Sequence, residues 1–187
     1  MAPKILKMET IHTGWSTFSR ATLQTGGKPF TREIEDHGRA VGVLPYDPER
    51  RIAVLVRLLR APALVATGEE SLLEAPAGLI DDDDPDDAAR REVMEEAGIR
   101  IGELEHIATV WTMPGISTER MDYYLARFSD GDRVGKGGGV AGENEDIIVE
   151  EHSLADLWSK AQRGEVSDLK TLTLLYALKH RHPELFD

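Results

Sequence analysis

A chain of 187 residues, 41% of them hydrophobic, has the length and apolar content for one domain with a filled core, and needs no second domain. A formal net charge of −12 argues against nucleic acid or an anionic membrane as partner, because both would be repelled; an anionic substrate would have to be held by local arginine and metal. With no cysteine there is no disulfide, thiolate nucleophile or cysteine-based zinc site, and no apolar run of about 18 residues or charged-then-apolar leader marks the chain for insertion or export, so a cytoplasmic protein is expected.

Residues 4–12 and 15–24 read as two strands, the second rich in Thr, Phe and Leu; Gly26 and Gly27 make a turn, and residues 30–35 continue as a third strand. The first 36 residues therefore form a small antiparallel sheet that is marginal alone. Its apolar side chains Trp15, Phe18 and Phe30 must be covered, by its own core or by a second subunit. Residues 40–46 (AVGVLPY) and 52–59 (IAVLVRLL) are two buried strands joined by a turn at Asp47-Pro48-Glu49-Arg50. Arg57 and Arg60 lie in or just after the second of them, where a charge ordinarily marks the point at which a strand meets solvent. Residues 61–71 have no period and read as a loop, and 72–75 form a short strand.

Residues 74–99 are acidic enough to need a cation. Pro85 suits the first turn of a helix capped by Asp84, Asp86 and Asp87 sit where the helix dipole favours negative charge, and Gly98 suits the residue just past the end. On this helix of about three turns Glu92 and Glu96 are spaced i, i+4, with Glu95 beside them, while Ala89, Val93 and Ala97 form an adjacent apolar stripe. The stripe is expected to pack and the carboxylates to face outward together. Arg91 relieves part of their mutual repulsion, with Asp87 paired to it one turn back, and a divalent ion would relieve the rest. Oxygen-only ligands favour Mg²⁺ or Mn²⁺ over zinc.

After the helix, residues 104–111 and 121–128 read as strands around a loop, MPGIST, at 113–118. Residues 129–146 form a loop of about eighteen residues containing GKGGGVAGENED, a length that is usually functional or disordered, and its glycines are expected to make it mobile. A strand at 147–150 leads to two amphipathic helices at 153–163 and 167–180; Ser153 and Asp156 have capping-box-like spacing, and Leu154, Leu157, Trp158 and Ala161 form the first stripe. The order of elements gives an α/β fold, a mixed sheet with the acidic helix on one face and the C-terminal helices on the other.

Arg91, Glu92, Val93, Glu95, Glu96, Gly98 and Ile99, following the PAG at 76–78, resemble the second half of a Nudix box, R-E-U-x-E-E-x-G-U with U aliphatic. The first half departs from the pattern. Gly78 to Glu92 is one residue short, and the first Glu of the box is replaced by Asp83 or Asp84. The resemblance implies the Nudix fold, an α/β/α sandwich with a mixed sheet plus the N-terminal antiparallel sheet, and Mg²⁺ or Mn²⁺ held by Glu92, Glu96 and the carbonyl of Ala77, with Glu95 assisting as a ligand or through water.

MPGIST resembles the P-G-x-S/T stretch of the nucleoside-diphosphate-sugar pyrophosphatase branch of that family, and the likeness runs from about residue 32 to 179. It is nearest to the GDP-mannose group, with its shortened box, GGGV loop and acidic DI, and the ADP-ribose group comes next. That branch implies residues 1–36 as a sheet for dimer contacts and 37–187 as the Nudix domain. It also implies Arg60, in VRLLRAP, and Arg32, in TREIEDHG, as substrate contacts. Arg57 and Glu74 are counted with them. The base would be Glu143, with Glu145 second. The implied activity is Mg²⁺-dependent hydrolysis of a nucleoside diphosphate sugar to a nucleoside monophosphate and a sugar phosphate, by a homodimer acting on a small molecule. Two alternatives remain: a sanitising enzyme for nucleoside triphosphates, which would need neither the N-terminal sheet nor the long loop, and a non-catalytic binding module, against which the intact R-E-x-x-E-E argues.

Overall fold

Two separate sheets organise the chain in the computed structural model, which describes residues 2–81, 84–140 and 146–187. The first is antiparallel, with β1 (Lys4–Thr13), β2 (Thr17–Gln24) and β3 (Phe30–Asp36) in that order. All ten residues of β1 are exposed, Ile5, Leu6, Met8 and Ile11 included, so this chain's own core does not cover that strand, whereas Phe18 on β2 and Phe30 on β3 are half-buried. Trp15 precedes β2 instead of belonging to it and stacks on His37. Backbone bonds from Glu35 N–H to the Ile116 carbonyl (2.9 Å) and from Thr118 N–H to the Glu35 carbonyl (3.0 Å) fasten β3 to the rest of the molecule.

The second sheet has the order β10-β5-β4-β9-β8, formed by β4 (Arg39–Asp47), β5 (Ile52–Leu58), β8 (Leu104–Trp111), β9 (Arg120–Arg127) and β10 (Ile148–Ser153). Only β4 and β9 run parallel. Side chains alternate along it as the pleat requires. Val41 and Val43 of β4 join Val54, Tyr124 and Ala126 in a core under the helix α2 (Pro85–Ala97). Ala40, Leu44 and Tyr46 join Leu55, Tyr123 and Leu125 beneath α3 (Leu154–Gln162) and α4 (Leu169–Arg181). The expected α/β/α sandwich is therefore present.

The β4–β5 hairpin pairs only at its closed end, through Tyr46 with Ala53 and Asp47 with Ile52. Beyond that point the strands part and residues 72–80 fill the gap: β6 (Leu72–Glu74) pairs with β5, and β7 (Ala77–Ile80) pairs with β4. Between them the Val43 N–H donates to the Pro76 carbonyl at 2.9 Å. The sequence shows only the first of these two strands, because Pro76 and Gly78 carry the composition of a turn.

Three helical expectations need correcting. A short helix, α1 (Ala61–Thr67), occupies part of the expected loop, with Pro62 in its first turn and Gly68 at φ 81° closing it. None of its residues is buried, which is why no period betrays it. Helix α4 starts at Leu169, capped by Asp168, which accepts the Thr171 N–H at 2.9 Å. On α2 the Asp84 cap and Gly98 at φ 68° stand as expected, but Asp87 pairs with Arg90 and not Arg91. Glu92 and Glu96 are also not outward-facing. They are 8% and 4% exposed, turned inward beneath β7.

Candidate active site

Where β7 crosses the inward face of α2's C-terminal half, backbone and carboxylate are interlocked. The Ala77 N–H donates to Glu96 Oε2 at 3.0 Å. A Cβ on Gly78 would stand 2.1 Å from Glu92 Cδ, so only glycine leaves room for that carboxylate. Arg91 Nη1 donates to Glu92 Oε1 at 2.6 Å and lies 3.6 Å from Glu95, while its Nη2 donates to the Leu79 carbonyl at 3.1 Å. The crowding of acids on one helix face is thus offset by a guanidinium threaded among them.

These groups line a cavity of about 910 Å³, together with Arg60, Glu74, Asp168, Lys170, Thr112, Glu119, Tyr123, His37 and Trp15. Glu74 is the hub of its polar end. Arg60 grips it with two hydrogen bonds, 2.8 and 3.0 Å, and Lys170 donates to it as well as to Asp168 Oδ1 at 3.1 Å. Burial pushes the Glu74 carboxyl up, but the Arg60 and Lys170 bonds and charges outweigh burial and hold it below its ordinary value. Thr171 links this end to the floor: its hydroxyl accepts the Ala75 N–H at 2.6 Å and donates to Asp168 at 2.5 Å. Burial, with the charges of Asp168 and Glu119, pushes the Tyr123 phenol up to about 12, so it remains a hydrogen-bond donor.

The match to the family description "NUDIX domain" covers residues 36–175. The chain belongs to the Nudix family. It is 37% identical over 151 residues to the GDP-mannose pyrophosphatase of Cronobacter sakazakii, spanning 80% of this chain and 78% of the relative. It is 37% identical over 153 residues to that of Escherichia coli K12 (81% and 78%) and 38% identical over 146 residues to that of Citrobacter koseri (77% and 75%). A solved structure described as an ADP compounds hydrolase superposes with a TM-score of 0.77 over 97% of both chains at 20% identity, which bears on the fold alone.

The oxygen donors of the Nudix box suit a hard divalent cation. Magnesium takes one or two carboxylates and completes its shell with water and substrate phosphate. That fits a floor on which Glu92 and Glu96 are the buried acids; among the described residues no three His, Asp or Glu side chains are grouped as a ready-made cage. Glu95 lines the same cavity.

The stretch after β9 ends the Nudix helix. Val134 and Gly135 N–H groups both donate to the Gly98 carbonyl at 3.0 Å; Gly138 donates to the Glu96 carbonyl at 2.9 Å and Gly139 to the Glu95 carbonyl at 3.1 Å. A Cβ on Gly137 would stand 2.2 Å from the Glu96 carbonyl oxygen. Gly135, Gly137, Gly138 and Gly139, expected to lend mobility, therefore serve close docking on the end of α2. Glu143, Glu145 and Asp83 lie outside the described residues.

Two expected substrate contacts are not brought to this cavity. Arg57 is bound to Glu150 on β10 at 2.5 Å and lines a separate, smaller cavity between β5 and the α3–α4 connection. Arg32 is exposed on β3, donates to the Thr31 carbonyl and lies over the Phe30 ring. Sequence reasoning missed Lys170, Asp168, Glu119, His37 and Trp15 as cavity residues. The one available signal was Lys170 itself, an amine on the inward face of α4 where only apolar side chains pack freely.

Proposed function

We propose that this Nudix protein hydrolyses the diphosphate of a nucleoside diphosphate sugar of the GDP-mannose type, giving a nucleoside monophosphate and a sugar phosphate. The observation that carries it is the pairing of Glu92 and Glu96 with the Ala77–Gly78 backbone on the floor of one cavity that also holds Arg60 and Lys170. Relatives bearing the name GDP-mannose pyrophosphatase support the substrate class.

A diphosphate resists attack because its own oxygens repel the nucleophile. Glu92, Glu96 and the Ala77 carbonyl would hold Mg²⁺, or Mn²⁺ in its place, with Glu95 assisting. Bound there, the metal supplies charge neutralisation and orientation of the phosphates and the attacking water. Arg60 balances the negative charge of the diphosphate, kept in place by Glu74. Water adds its oxygen to one phosphorus, the bond from that phosphorus to the bridging oxygen breaks, and the bridging oxygen leaves on the other phosphate. Glu143, with Glu145 as the second choice, takes the proton from water. The exposed β1 aliphatics support a homodimer, and a cytoplasmic location with no nucleic-acid or membrane partner belongs to the same proposal.

A panel of GDP-mannose, ADP-ribose, other nucleotide sugars and nucleoside triphosphates, assayed with Mg²⁺, tests it. The highest kcat/KM is expected on a nucleotide sugar. A preference for triphosphates would turn the reading to a sanitising enzyme, and no turnover at all would turn it to a binding module.

A further inference from the structure

His37 lies on the short connection between β3 and β4, and both of its ring nitrogens face carboxylates. Nδ1 is 2.6 Å from Glu35 Oε1 and Nε2 is 3.0 Å from Glu119 Oε1. An ionised carboxylate only accepts, so both nitrogens must donate, and only the imidazolium has a proton on each. The second oxygen of each acid is also engaged: Ser117 Oγ donates to Glu35 Oε2 at 2.7 Å, and Thr112 Oγ1 donates to Glu119 Oε2. The indole of Trp15, which leads into β2, stacks on the ring at 4.8 Å between centroids. Trp15, His37, Thr112 and Glu119 all line the cavity, although Trp15 is 79% exposed.

One ring therefore joins the N-terminal sheet to the β8–β9 connection at the cavity rim. We propose that His37 is a positioning residue: as an imidazolium between Glu35 and Glu119 it pins the N-terminal sheet, with Trp15, against the cavity, and so sets substrate affinity rather than the rate of the chemical step. The proposal rests on reading the cavity as the nucleotide-sugar site.

The surrounding charges fit a cation at this place. Arg39 of β4 is committed to Asp122 at 2.8 Å, and Asp36 accepts the Gly38 N–H, which leaves Glu35 of β3 and Glu119 as the acids facing the ring. Burial opposes the charge on His37, but the hydrogen bonds and charges of Glu119 and Glu35 outweigh burial and raise its pKa above 6.5. A raised histidine contributes fully below its unfolded pKa, and that contribution is lost as pH rises through the folded one. The clasp therefore needs both carboxylates ionised and the ring protonated, and it weakens as pH rises through the raised pKa of His37.

The experiment has a substrate-free arm and a kinetic arm. Tryptophan fluorescence of the full chain is titrated with alkali: an imidazolium stacked on an indole quenches it, so emission is expected to rise in a transition above pH 6.5, absent from both Trp15→Phe and His37→Gln. In the kinetic arm the wild-type KM for the best nucleotide sugar is expected to rise across the same transition. On the acid side of that transition His37→Gln should show a KM roughly tenfold higher with kcat little changed, the scale of losing one charge-assisted hydrogen bond. His37→Arg, whose guanidinium can serve two carboxylates at every pH, should restore the low KM and abolish its pH dependence. A wild-type KM that is flat with pH, a loss in kcat equal to that in KM, or an arginine variant no better than glutamine would overturn the proposal. Should no nucleotide sugar be turned over, the proposed activity falls and the fluorescence transition still decides the clasp; turnover without the transition removes the clasp alone.

Discussion

The Glu92 carboxylate lies directly against the α-carbon of Gly78: a methyl group there would sit 2.1 Å from its carbon and 2.2 and 2.3 Å from its oxygens. Gly78 adopts no left-handed backbone, so alanine in its place meets a side-chain obstacle and not a backbone one. Gly78→Ala should displace Glu92, lower kcat by about 10²-fold and raise the Mg²⁺ concentration needed for half activity, since a misplacement of ~1 Å at a reacting centre costs that much. Wild-type kinetics with Mg²⁺ in the alanine variant would remove Glu92 from the metal site.

Glu92→Gln and Glu96→Gln should each lower turnover by roughly 10³-fold or more, because they weaken the hold on the cation that neutralises the diphosphate in the transition state. Their stabilities should stay close to wild type. Glu96→Ala should be different: it strips the buried Ala77 N–H of its acceptor and should cost about 1–3 kcal/mol more than the glutamine variant in chemical denaturation. Equal stability of the two variants would show that this hydrogen bond holds nothing.

Lys170 and Arg60 keep Glu74 ionised in a buried place. Removing one partner leaves that charge under-compensated, so Lys170→Met should lose about 3–5 kcal/mol of stability. The Glu74 carboxyl is lowered on folding, so its contribution is present above the unfolded pKa and lost as pH falls through the folded one. The wild type should therefore lose stability below pH 4.5 more steeply than Glu74→Gln, as read from denaturation midpoints against pH.

Gly137 has φ 66° and no space for a side chain against the Glu96 carbonyl. Gly137→Ala should undock the glycine stretch, destabilise the protein by about 1–3 kcal/mol and speed amide exchange at Gly138 and Gly139, whose N–H groups bond α2. Unchanged exchange at those two amides would contradict the docking.

Much of this was legible in the residues. Asp84, Pro85 and Gly98 announced α2 because cap, first turn and left-handed end are local chemistry, and Val41, Val43 and Leu44 announced a strand buried on both faces. The direction of Glu92 and Glu96 was not legible, since a helix face is inward or outward according to what lies over it, and here that is β7. β7 was itself hidden by the turn-like Pro76 and Gly78. Lys170 and His37 were missed for a related reason: Glu74 and Glu119, the partners that give them meaning, lie far away in the chain and are brought to them only by tertiary packing.

The wedge of residues 72–80 between β4 and β5 also bears on how the protein acquires its site. β7 rests on β4, and β4 is held on its other side by β9, so the floor beneath Glu96 depends on pairings between segments distant in the chain. Such contacts form slowly, after long loops have closed. A peptide covering only the acidic stretch would possess every carboxylate proposed to hold Mg²⁺ and still lack the cradle that orients them, which only the completed sheet provides. Competence to hold the ion should consequently appear with the last and slowest folding phase, never ahead of it.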